Sequence, residues 1–264
     1  MTEVPSELDQ VTTSFHVRSW LKAGEAVIRP ARSRARASVA STSWAADARA
    51  KAIARARAKV RRYCAANRLT TLFTLTYADE PSTEQTIDKD MRGFIRRLRR
   101  AAGGDAFPYC WVREGGLESR WHVHLALQGH GLSELASRLW TAGAVDIERT
   151  GARSKLDRAR CVASYLLKEI NPSSGLGRGR PSYHVGRGFQ PPFEDRLVDS
   201  LADGVEWADR TQGSLVPIDT WLHTDSDLVP RLRTYDVAPA SGRQWAAVPR
   251  AEWEVAAGAT HARV

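Results

Sequence analysis

FPYCWVREGGLESRWHVHLALQ, residues 107–128, decides how this chain is read. Two runs rich in aromatic and branched side chains, 107–114 and 121–128, flank a polar connection that begins with Gly115 and Gly116. Such runs are strands, and a connection this short predicts an antiparallel hairpin, though one longer than the tightest turns. Side chains alternate between the two faces of a strand. In the second run Trp121, Val123, Leu125 and Leu127 therefore share an apolar face, while His122 and His124 share the other. Antiparallel pairing then brings Glu114, at the end of the first run, beside both imidazoles. Because Cys110 and Val112 share the face of Glu114, that face is expected to lie beneath a helix.

Upstream, LTTLFTLTY at 69–77 alternates Phe73, Leu75 and Tyr77 with Thr74 and Thr76, the pattern of another strand. A helix is predicted over about 84–100. Ile87, Met91, Phe94, Ile95 and Leu98 lie along one side of it, Arg92, Arg96, Arg99 and Arg100 elsewhere, and Gly103 and Gly104 end it. Downstream, a helix is expected at 132–140, a strand at 144–149, and a helix at 156–170 that stops near Asn171 and Pro172. This order predicts an α+β fold: a ferredoxin-like, split βαβ antiparallel sheet with helices on one face.

The rest of the chain frames this core. Its 264 residues allow one substantial core with extensions. A formal net charge of +9, from 39 Lys and Arg against 30 Asp and Glu, favours an anionic partner, nucleic acid foremost. Cys64, Cys110 and Cys161 have neither metal-like nor disulfide-like spacing, so a reducing, cytoplasmic setting is expected. No apolar run approaches the roughly 20 residues that span a bilayer, and no secretory core precedes the first element, so no membrane association is expected. Residues 1–43, with Arg29, Arg32, Arg34 and Arg36, are expected to be a flexible basic arm with one apolar docking patch at 15–21. WAADARAKAIARARAKVRRYCAAN, 44–67, predicts a helix with a dense positive face, suited to phosphates or to solvent, at the start of a catalytic unit spanning 44–190. Residues 191–264 form an accessory region with a helix at 194–201 and Trp207, Trp221, Trp245 and Trp253 as apolar anchors.

Two imidazoles and a carboxylate suit a divalent ion of intermediate hardness. Mn²⁺ fits best, Mg²⁺ is the physiological alternative and Zn²⁺ a third. Three ligands leave positions open, which phosphoryl transfer requires. The ligating imidazoles must be neutral, so acid is expected to abolish metal binding. In CVASYLLKEI, 161–170, Tyr165 and Lys168 are three residues apart and neighbours on a helix surface, at the border of a stripe formed by Ala159, Ala163, Leu166 and Ile170. A phenol is a weak nucleophile at neutral pH and needs a cation or base to hold its anion; Lys168 either lowers that cost or grips the adjacent phosphate. Each feature alone also has a structural reading, as an accidental histidine pair or a core-edge tyrosine. Their combination argues for chemistry.

FTLTY at 73–77, EGGLESRWHVH at 114–124 and YLLK at 165–168 together resemble, in order, the three motifs of the HUH endonucleases, specifically the replication-associated proteins of rolling-circle plasmids, phages and small circular DNA viruses. The resemblance covers roughly 69–170. It implies a nuclease that nicks one DNA strand, stays joined to the 5′ phosphate through tyrosine and leaves a 3′ hydroxyl for a polymerase. Carried over residue by residue, it makes Glu114, His122 and His124 the metal ligands, Tyr165 the nucleophile and Lys168 its partner. The first motif, associated with DNA contact, falls on Thr74 and Thr76, and Arg113 and Arg120 are expected to add to that contact. No second tyrosine follows Tyr165 in its helix, which resembles the single-tyrosine type and leaves Tyr183 as a remote alternative. The glycine-rich passage 173–190, with Arg178, Arg180 and Arg187, is expected to wrap DNA beside the site. The GxxxxGK[ST] phosphate loop is missing, so strand separation is expected from supercoiling or a host helicase. The partners expected are single-stranded DNA or an origin hairpin, with a host helicase and polymerase; the oligomeric state is left open. A relaxase or a single-strand transposase would use the same residues, and a non-catalytic ferredoxin-like nucleic-acid binder is the alternative from another class.

Overall fold

The computed structural model describes residues 14–31, 44–79, 83–116, 119–128, 131–149, 154–170, 183–212, 215–223 and 232–239. In chain order the elements are β1 (Phe15–Trp20), a 3-10 turn (Leu21–Ala23), β2 (Glu25–Pro30), α1 (Trp44–Ala66), β3 (Thr71–Tyr77), α2 (Glu84–Ala101), β4 (Tyr109–Gly116) and β5 (Ser119–Leu127). There follow α3 (Gly131–Leu139), β6 (Gly143–Arg149), α4 (Lys155–Lys168), β7 (Tyr183–Val185), β8 (Glu194–Val198), α5 (Leu201–Gln212), β9 (Leu215–His223) and β10 (Leu232–Pro239). They divide into two compact units, a larger one of residues 20–24 and 40–192 and a smaller one of residues 1–19, 25–39 and 193–264.

In the larger unit the sheet order is β6-β3-β5-β4-β7, every pair antiparallel. The run β3-α2-β4-β5-α3-β6 is the predicted split βαβ, with β3 between β6 and β5, and β7 extends the edge beyond β4. Thr83 starts α2 by accepting a hydrogen bond from the Thr86 amide, which satisfies a donor the helix cannot use. Ile87, Met91, Phe94 and Leu98 recur at helical spacing and are fully buried against Phe73, Leu75, Val123, Leu125 and Leu127. Trp140, just past α3, meets the rings of Tyr77 and Phe94 edge-on at 5.2 and 5.5 Å.

The opposite face is also covered. Leu72, Cys110, Val112 and Ala126 are buried there, and so are Val60, Tyr63 and Cys64 of α1 and Val162, Ala163 and Leu166 of α4. The Tyr63 hydroxyl donates to the Gly186 carbonyl at 3.1 Å, which ties α1 to the end of β7. Helices therefore lie on both faces, where the split βαβ pattern alone predicts one helical layer. The reason is the apolar end of the second face, whose exposure to water would be costly.

In the smaller unit β8-β1-β2-β10-β9 form a second sheet. Val205 and Ala208 of α5 pack on Val17, Ala26, Ile28 and Val198, with Trp207 at the margin. The docking patch expected at 15–21 is β1. The helix expected at 194–201 is instead β8, paired with β1 from Phe15↔Val198 to Ser19↔Glu194, and α5 begins only at Leu201. Helix propensity over so few residues is weak, and strand pairing along with the Arg18–Asp195 ion pair outweighs it. Stretches near the two ends of the chain thus share one sheet. Trp221 lies on β9; Trp245, Trp253 and the arginines at 32–36 lie outside the described residues. Among the described residues no helix is long and apolar enough to cross a membrane.

Candidate functional site

Registers across three adjacent strands assemble the polar end of the second face. Glu114 of β4 sits opposite His122 of β5, and Val112 opposite His124. On the other side of β5, Thr74 and Thr76 of β3 sit opposite His124 and His122. The β4–β5 ladder shifts between Glu114 and Gly116, and Gly115 takes φ 119° there. A Cβ on Gly115 would stand 2.8 Å from both the Arg120 carbonyl oxygen and Trp121 Cα, so the irregularity next to Glu114 requires glycine.

The Glu114 carboxylate contacts His124 Nε2, while His124 Nδ1 lies 3.2 Å from the Thr74 hydroxyl. Both ring nitrogens are engaged, which fixes the orientation of the imidazole. The ring of His122 is centred 6.4 Å away and tilted by 55°. Its Nδ1 is buried and has no hydrogen-bond partner among the described residues. Among those residues, no three His, Cys, Asp or Glu side chains stand ready-placed around one point as a metal cage. The donor set suits a divalent ion all the same: one unsatisfied imidazole nitrogen, and a carboxylate lying against the nitrogen of a second imidazole whose far side is held by a hydroxyl.

Helix α4 covers part of this face. Ser154 caps its start by accepting from the Asp157 amide, and Val162, Ala163, Leu166 and Leu167 are buried beneath it. Tyr165 is 39 % exposed, and Lys168 Nζ lies 4.2 Å from the centre of its ring. Glu169, which ends the helix, is a residue that sequence reading missed. Burial pushes its carboxyl pKa up and repulsion from Glu114 adds to this, while His124 and Lys168 pull it down. That mutual influence puts the last turn of α4 within electrostatic reach of the Glu114–His124 pair. The available signal was position: Glu169 falls four residues after Tyr165, hence on the same side of the helix.

Tyr183 lies opposite Val112, on the same row of the sheet as His124 but beyond β4. Burial raises its phenol pKa, and Lys59 of α1 stands 5.9 Å from its ring centre. It is less accessible than Tyr165.

The residues expected at DNA are dispersed. Thr74 touches His124, so its hydroxyl positions an imidazole. Thr76 lies opposite His122. Arg113 is only 8 % exposed and points to the other face, where it pairs with Asp88 at 2.7 Å and Glu84 at 3.1 Å. The strand alternation that places Glu114 on one face sends Arg113 to the opposite one. Arg120 shares the histidine face by the same alternation and is exposed, and Arg187 is exposed in the turn after β7. Arg178 and Arg180 lie outside the described residues.

With that geometry in view, one comparison is informative. Residues 70–171 match the model of a replication-associated protein family, the ORF2 type. The match runs from the start of β3 to the end of α4, spans less than half the chain, and contains Glu114, His122, His124, Tyr165 and Lys168. It supports a role as a replication initiator protein. No curated protein and no solved structure matches the chain significantly.

Proposed function

We propose that this protein is a metal-dependent, site-specific endonuclease and strand transferase that initiates rolling-circle replication through a 5′-phosphotyrosine on Tyr165. The carrying observation is the meeting of α4 with the histidine face: Glu169, one turn beyond Tyr165, is electrostatically coupled to Glu114 and His124. The match to the replication-associated family over the same segment points the same way.

Glu114, His122 and His124 would hold a Mn²⁺ or Mg²⁺ ion, which when bound draws charge from a non-bridging phosphate oxygen and stabilises the charge developing at phosphorus. Thr74 holds His124 in orientation from behind. The Tyr165 oxygen, losing its proton to solvent or a nearby base, attacks the phosphorus of a single-stranded phosphodiester. The bond to the 3′ oxygen breaks, and that oxygen leaves as a hydroxyl after gaining a proton. The phosphodiester count is unchanged, so the reaction needs no energy source, and attack by a 3′ hydroxyl on the phosphotyrosine reverses it. Lys168, beside the Tyr165 ring, favours the phenolate and neutralises the incoming phosphate. The exposure of Tyr165 admits a polymer substrate, which a buried phenol such as Tyr63 does not.

The test is to incubate the protein with Mn²⁺ and short single strands from candidate origins, then look for a protein–DNA adduct that survives denaturation. Tyr165→Phe is expected to abolish the adduct. Persistence of the adduct in that variant would assign the nucleophile elsewhere, and its absence from the unaltered protein across an adequate origin library would favour a non-catalytic binder.

A further inference from the structure

We infer that the outer face of α2 is a second, sequence-independent DNA contact that takes the phosphate backbone of duplex DNA, on the side of the sheet opposite His122 and His124. The inference rests on the proposed reading that the ligand of this protein is DNA. Lys89, Arg92, Arg96 and Arg100 recur at spacings of three and four along α2 and are all exposed. None of the four has a hydrogen-bonded or ion-paired acceptor among the described residues. The acidic residues of the helix, Glu84, Asp88 and Asp90, all lie in its first half, where Asp88 and Glu84 are taken up by Arg113. Beyond Asp90, α2 carries no carboxylate.

Solvation alone accounts poorly for this pattern. Arg92 with Arg96, and Arg96 with Arg100, are like-charge pairs four residues apart, each of which destabilises a helix by about 0.2–0.5 kcal/mol. The helix dipole favours cations in the last turn, which explains Arg99 and Arg100 but not Arg92 or Arg96. An anion laid along the stripe removes the repulsion. Guanidinium groups are suited to that anion, because their planar donors grip phosphate oxygens in pairs. From Arg92 to Arg100 the helix rises about 12 Å. One strand of a duplex presents a phosphate every 3.4 Å or so of axis over that span, enough for each guanidinium to meet one. The underside of α2 is fully committed to the core, so the stripe is held straight and in place.

The charges of α1 are spent differently. Arg61 is buried, and the Arg62 guanidinium lies 3.9 Å from the centre of the Trp20 ring. The helix expected from sequence to track phosphates thus uses part of its charge within the protein.

The test compares the unaltered protein with R92Q/R96Q/R100Q and R92K/R96K/R100K in equilibrium binding to a short blunt duplex of arbitrary sequence across a salt series. Glutamine keeps helix propensity, and equal thermal melting checks that the fold is intact. In the glutamine variant the slope of log K against log salt is expected to flatten by about 2.7, three lost phosphate contacts at roughly 0.9 each, and the lysine variant is expected to retain the slope. Adduct formation on a short single strand is expected to match in all three proteins. An unchanged slope in the glutamine variant, a loss confined to single strands, or no duplex binding by the unaltered protein would overturn the inference. If no protein forms an adduct yet the glutamine slope flattens, the nuclease reading fails and the duplex contact stands.

Discussion

The two faces of the larger sheet are built from the same three strands and do opposite things. Toward α2 and α3, β3, β4 and β5 present Phe73, Leu75, Trp111, Val123, Leu125 and Leu127, and the one buried cation there, Arg113, is matched by Asp88 and Glu84. Toward α1 and α4, the same strands present apolar side chains only at one end. At the other stand Thr74, Thr76, Glu114, His122 and His124, with a buried imidazole nitrogen left unsatisfied among the described residues. A protein interior leaves few buried polar atoms without partners, and those that remain call for an explanation. One face is a seal with its charges balanced; the other has capacity to spare, which is where a ligand finds free-energy gain.

Substitutions that separate activity from stability test this contrast. The largest effect is expected from His124→Ala on the open face: Mn²⁺-dependent nicking should fall roughly a thousandfold, several kcal/mol of transition-state stabilisation, with thermal melting little changed. Melting that collapses along with activity would make His124 a structural residue. On the sealed face Phe94→Ala should cost about 3–5 kcal/mol of stability, read by denaturant unfolding, while nicking per folded molecule is retained. Loss of nicking by a fully folded Phe94→Ala protein would mean that the two faces are coupled.

Smaller effects sharpen the picture. Thr74→Val removes the hydroxyl behind His124, and metal affinity measured by titration should weaken about 10-fold or somewhat more. No change would show that the 3.2 Å contact does not orient the ring. The smallest effect concerns His184, stacked on Trp111 at 4.1 Å. Burial lowers its pKa below the ordinary 6.5, Asp88 opposes that, and Arg113 and Arg92 reinforce it. As pH falls below about 6.5 the unfolded chain takes up a proton that the folded chain still refuses, so this stability contribution is full above that value and declines toward the folded pKa. His184→Asn should flatten the thermal-stability profile in that window; an identical slope would assign the acid sensitivity to other groups.

Much of this contrast can be read from the chain. The alternation in WHVHLAL separates histidines from core residues without knowledge of any neighbour, and the recurrence of Ile87, Met91, Phe94 and Leu98 marks the buried side of α2. The pairing of Glu114 with His122 follows from the hairpin. Arg113 was open to the same alternation argument, which directs it away from the histidines. Glu169 was not accessible in that way, because its coupling to Glu114 and His124 joins a helix end to strands more than forty residues earlier. The strand at 194–198 was equally out of reach: its partner is β1, far away along the chain.

Side-chain period, turn residues and helix caps act over a few residues, and from them alone came the order of elements, the split βαβ core and the face on which each histidine lies. Tertiary structure decided which surfaces those elements cover: that α1 and α4 close the second face, that the two ends of the chain share a sheet, and that Arg113 is consumed within the protein while the stripe on α2 stays free. Such choices depend on contacts between distant segments, whose cost in loop closure and gain in burial are properties of the whole folded chain and of no single stretch within it.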